Sequence, residues 1–70
     1  MKTSDTAIRD FILKMAANGP RDISVPNIVL RCGGNAQIAR HVLKHLVEKK
    51  EIQVEGNYQE DEYFSVRLPH

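Results

Sequence analysis

Apolar positions recur along this chain with two different spacings, and the change of spacing divides it. From Ile8 the pattern is i, i+3, i+4, i+7: Ile8, Phe11, Ile12, Met15 and Ala16 make the buried stripe of a first helix, expected over about Asp5 to Ala17. Ser4 or Thr3 can cap it, and Asp5 suits the positive end of its dipole. Leu13 falls off the stripe, as an isolated exposed leucine or a dimer contact. Asn18-Gly19-Pro20 stops the helix, with Gly19 available for a left-handed cap. Arg21-Asp22-Ile23 is too short for a helix and suits a strand of one or two residues centred on Ile23. Ser24 then reads as a new N-cap, with Pro26 tolerated in the first turn and Val25, Ile28 and Val29 as an inner face. This second helix is short and ends at Cys32-Gly33-Gly34.

The third helix is expected from Asn35 as cap to Lys50. At about 100° per residue, Ala39, Val42, Leu43 and Leu46 share one side, with Ile38 at its margin. Gln37, Arg40, His41, Lys44 and Glu48 share the other. Beyond Lys50 the period falls to two. Ile52 and Val54 alternate with Glu51, Gln53 and Glu55; Phe64, Val66 and Leu68 alternate with Tyr63, Ser65 and Arg67. Gly56-Asn57, suited to positive φ, opens a turn that runs through Asp61. The expected order is helix, short strand, helix, helix, strand, strand: an α+β chain forming one domain over residues 1–70.

Charge adds an asymmetry that the net +1 conceals. Residues 1–50 carry nine Lys/Arg against four Asp/Glu, or +5; residues 51–70 carry one against five, or −4. The basic helical part can meet a polyanion, and the acidic end cannot. Within the basic part, the polar stripe of the third helix offers an amide, a guanidinium, an imidazole and an ammonium before any acid intervenes at Glu48. Such groups reach base edges and phosphates from the major groove of a duplex. A solvated helix face is the plain alternative.

Two helices joined by a glycine turn, the second longer and polar on its outer side, make a helix-turn-helix pattern. The element order resembles the winged-helix (winged helix-turn-helix) superfamily over about Thr6 to Leu68. Ile23 stands as the first strand, Ser24 to Cys32 as the support helix, Asn35 to Lys50 as the recognition helix and Ile52 to Leu68 as the hairpin wing. The junction HLVEKKEIQV is similar to the end of the recognition helix in small bacterial winged-helix regulators. The resemblance implies double-stranded DNA binding through the third helix, often by a homodimer on a paired site. It puts Gln37, Arg40, His41 and Lys44 in the groove. Asn35, Ser24 and Asn27 would contact phosphate, with Arg21 and Arg31 as further phosphate candidates. The wing departs from the pattern: Glu55, Glu60, Asp61 and Glu62 replace basic residues, so it would stay off DNA or touch it only through Asn57 and Tyr58. Winged helices for left-handed duplexes carry Asn and Tyr on the third helix and a Trp near a proline pair. Here the matching places hold Arg40, Lys44 and Phe64 without the prolines, which argues against that activity.

Other chemistry is thinly represented. His41 and His45, spaced i, i+4, can face one metal, but a zinc site needs three or four ligands. Cys32, His70 and the wing carboxylates fall at no recognisable spacing, and no HExxH occurs. No metal or cofactor is therefore expected. Gly33-Gly34 lacks the further glycines, lysine and preceding strand of a phosphate loop. Cys32 reads as a small buried residue, with a reactive thiol as the alternative. No nucleophile–base pair or paired carboxylates are recognisable, so no catalytic residue and no enzyme activity is expected. There is no apolar run long enough for a bilayer and no secretory h-region, and a single cysteine fits a reducing, cytoplasmic setting. The reading is a small winged-helix DNA-binding regulator of bacterial or phage type. The alternative is a protein-binding winged helix that uses its acidic wing and has no significant DNA affinity.

Overall fold

The computed structural model describes residues 4–69 and contains three helices and a three-stranded antiparallel sheet. Helix α1 spans Ser4–Ala17, with Ile8, Ile12 and Ala16 buried one turn apart. It touches both other helices and the last strand, so its covered arc is wider than one stripe. Phe11 and Met15 are therefore half-buried, and so is Leu13, which packs on the core rather than standing exposed. Ser4 lies inside the helix, not at its cap; Thr3, the other candidate cap, lies outside the described residues.

Gly19 does not adopt the left-handed conformation expected of it. Its role is proximity: a Cβ there would sit 2.6 Å from the Val66 carbonyl oxygen and 3.2 Å from Arg67 Cα. The chain leaves α1 by passing flat against the sheet, where no side chain fits.

Strand β1 (Arg21–Ile23) leads into helix α2 (Val25–Cys32). The Ser24 Oγ accepts from the Asn27 N–H at 3.2 Å, and Pro26 occupies the first turn, where a missing donor costs nothing. Val25 and Ile28 face inward. The helix stops at Gly33, whose φ of 83° and ψ of −167° are reached without strain only by glycine. Helix α3 (Ala36–Glu48) begins three residues later under an Asn35 cap, the Oδ1 accepting from Ile38 N–H at 2.9 Å.

The inner residues of α3 are Ala39, Val42, Leu43 and Leu46, the set its periodicity predicts. Its end is earlier than expected, at Glu48 rather than Lys50. Lys50 takes φ 60°, and the Lys50 and Glu51 N–H groups donate back to the Val47 and Leu46 carbonyls. That pair of bonds is a Schellman termination, built here without glycine.

Strands β2 (Gln53–Glu55) and β3 (Phe64–Arg67) form the expected hairpin, with Val54 opposite Val66. β3 also pairs with β1, Ile23 opposite Phe64, giving the order β1-β3-β2. Phe64 and Val66 point into the core, and Ile52 is buried just before β2. Leu68, expected to continue the inward alternation, lies past the end of β3 and is exposed, as are Leu30 and Tyr63. One hydrophobic cluster joins α1, α2, α3 and the sheet, so α3 is fixed along its inner side. No helix among the described residues is long and apolar enough to cross a membrane.

Candidate nucleic-acid interface

Because α3 is a regular helix with a buried side, its opposite side is set by geometry. Gln37, His41 and Lys44 are exposed there, and Arg40 is half-exposed between them. The β2–β3 connection (56–63) comes back over this face. Gly56 opens it at φ 112°; Asn57, the other residue suited to positive φ, does not use it. The Asn57 Oδ1 instead accepts from the Gln59 N–H at 3.1 Å, and its carbonyl accepts from Glu60 N–H at 3.2 Å. Tyr58 is thereby turned inward, half-buried and edge-on to Phe64, with ring centroids 6.1 Å apart. Tyr58 and Gln59 join Gln37, Arg40, His41 and Lys44 around one open groove of about 410 Å³. No carboxylate is among its lining residues.

Among the described residues, Arg40 is the member of this groove with a carboxylate partner. Its Nη2 donates to Asp61 Oδ1 at 3.3 Å, the two side chains being 38% and 69% exposed. Its Nε is enclosed and has no acceptor among the described residues. One Nη contact at this length leaves the outer donors of the guanidinium fork available, and an exposed pair of this kind contributes only about 0–1 kcal/mol.

The rest of the expected set falls elsewhere. Arg21, Asn27 and Arg31 line a second groove of about 310 Å³ with Phe11, Met15, Ile23, Tyr63 and one carboxylate, Asp22; it shares no lining residue with the first. Asn35 is exposed at the start of α3 with its Oδ1 used in the cap, which leaves its amide nitrogen as a donor. Asn57 is exposed at the tip. Ser24, expected at phosphate, is 5% exposed and its Oγ accepts from Asn27 N–H, so it stands mostly beneath the surface. Capping α2 from within the core is what buries it.

His41 and His45 stack with ring centroids 5.9 Å apart and planes 19° apart. They flank a groove of about 250 Å³ between α1 and α3, with Asp5, Arg9, Lys49 and Glu51 around it. Arg9 and Glu51 are bridged across it at 3.3 Å. Among the described residues no three His, Cys, Asp or Glu side chains converge as metal ligands, and His70 lies outside those residues. The half-buried Cys32 thiol is held above its ordinary pKa by burial, an effect opposed by the neighbouring Arg31 charge.

Compared with known proteins, the chain matches no family model, no curated sequence and no solved structure.

Sequence reasoning missed two participants. Gln59 carries no pattern of its own and joins the groove only because the Asn57 turn aims it there. Asp61 was legible as an acid but not as the partner of Arg40, which is 21 residues away in the chain.

Proposed function

We propose that this protein is a winged helix-turn-helix that binds double-stranded DNA through α3 and serves in transcriptional regulation. The observation that carries the reading is the Gln37/Arg40/His41/Lys44 ridge, directed outward beside a groove whose lining contains no acid. In this arrangement α2 supports α3 through the glycine turn, and the β2–β3 hairpin is the wing. Gln37 can pair with adenine, a contact that discriminates by about 1–3 kcal/mol, and the outer nitrogens of Arg40 can donate to a phosphate oxygen. Lys44 and the Asn35 amide bond phosphates on either side. The Arg21, Asn27 and Arg31 groove takes backbone farther along, or a flanking segment bound by a second copy in a homodimer.

Binding of this kind is largely counterion release, so affinity falls as salt rises, with each neutralised phosphate adding about 0.9 to the slope of log K against log salt. The test is a salt titration with a random duplex, parent against Arg40→Ala/Lys44→Ala. The parent should weaken steeply with salt. The double variant should lose most of the binding and about two units of slope. If the double variant binds as the parent does, α3 is not the reader.

A second reading has one observation in its favour. Tyr63 is 70% exposed next to the exposed acids Glu60, Asp61 and Glu62, an arrangement suited to a basic protein partner. In that case the parent shows no salt-dependent duplex binding.

A further inference from the structure

Resting on the DNA-binding reading, we infer that Asp61 is an internal competitor for phosphate. Its carboxylate occupies, on Arg40, the place of a phosphodiester oxygen, and binding requires that it be displaced. Three observations carry this. Among the described residues, Arg40 is the one ridge residue with a carboxylate on it, Nη2 to Oδ1 at 3.3 Å, while Gln37, His41 and Lys44 are exposed. Asp61 is brought there by a connection anchored elsewhere, through Tyr58 against Phe64 and through the Asn57–Gln59 turn. The contact is single and exposed, 38% for Arg40 and 69% for Asp61. It is therefore weak enough to exchange with an incoming anion of the same acceptor chemistry.

The enclosed Nε of Arg40 adds direction. With one edge of the guanidinium shut in, the outer nitrogens are the donors that can reach an external group, and Asp61 sits on one of them. The hairpin thus meets the ridge with an acid where a DNA-gripping hairpin would carry a base. Displacement swings one carboxylate away without unfolding anything, because Tyr58 and the Asn57 turn hold the connection independently of Asp61.

The experiment measures duplex affinity of the parent, Asp61→Asn, Glu62→Gln, Arg40→Gln and Arg40→Gln/Asp61→Asn. Two unrelated duplex sequences are used at one salt concentration. Glu62→Gln is the charge control, since it removes the same unit of charge from an exposed neighbour. Asp61→Asn should bind up to about fivefold tighter than Glu62→Gln, the equilibrium worth of one exposed ion pair. The gain should be the same on both duplexes and should vanish when Arg40 is glutamine.

Asp61→Asn equal to Glu62→Gln, with the parent binding, overturns the competitor role and leaves the DNA reading standing. A gain on one duplex alone overturns the assignment to phosphate, because base edges would then be what Asp61 blocks. Binding by Asp61→Asn where the parent shows none supports the inference in its strongest form. Failure of both to bind overturns it together with the DNA reading.

Discussion

Replacing Gly19 with alanine adds a single carbon, and the structure fixes where it goes. The new Cβ would lie 2.6 Å from the Val66 carbonyl oxygen, 3.0 Å from that of Ala16 and 3.2 Å from Arg67 Cα. All three neighbours are backbone, so no side chain can rotate aside. Nor can β3 retreat alone, since it is hydrogen-bonded to β1 on one side and β2 on the other. Overpacking of this kind costs about 1–3 kcal/mol. It is offset by about 0.4–1 kcal/mol because alanine narrows the unfolded ensemble. A net loss of about 1–2 kcal/mol lowers the melting temperature of a domain this small by about 4–16 °C. Thermal unfolding followed by circular dichroism reads it directly. Gly33→Ala is the contrast: its Cβ meets nothing within 4 Å, so any loss there comes from the backbone at φ 83°. A Gly19→Ala protein melting at or above the parent would refute the close approach of this segment to the sheet.

Lys50→Gly should be neutral to stabilising by up to about 1 kcal/mol, since it relieves a left-handed residue at a cost in unfolded-state entropy; a clear drop in urea midpoint would count against the Schellman end. Cys32 should alkylate more slowly than a free cysteine peptide, with the midpoint of its pH–rate profile above the ordinary thiol value, and slower still in Arg31→Gln. The sign for stability follows: a thiol whose folded pKa exceeds the unfolded one contributes fully below the unfolded value, and that contribution is lost as pH rises towards the folded value. A midpoint at or below that of the peptide would show the thiol to be more solvated than its position implies.

What could be read from the sequence was what depends on neighbours in the chain. The inner face of α3 follows from spacing alone, and the caps Ser24 and Asn35 are local hydrogen bonds with a known residue preference. The ridge of the candidate site was legible for the same reason, because on a regular helix the outer face is determined once the inner one is known. The misses are contacts between distant segments. Gly19 looks like any glycine after a helix, and only the passage of β3 beside it gives it a different task. Lys50 carries no mark of a left-handed residue, so the helix pattern runs on past its real end. The burial of Ser24, the partnership of Arg40 with Asp61 and the place of Gln59 all required the chain to be folded back on itself.

The middle strand of the sheet is also the last described element to leave the ribosome. β1 and β2 pair with β3 and not with each other, so during synthesis each waits as a lone segment until residues 64–67 appear. The helices can assemble as they emerge, because their hydrogen bonds are local. A chain cut inside the 56–63 connection would lack β3, the partner of both β1 and β2, and neither strand would be secured. Pairing of β3 with both neighbours closes the sheet, and the same pairing sets the 56–63 connection beside the face of α3.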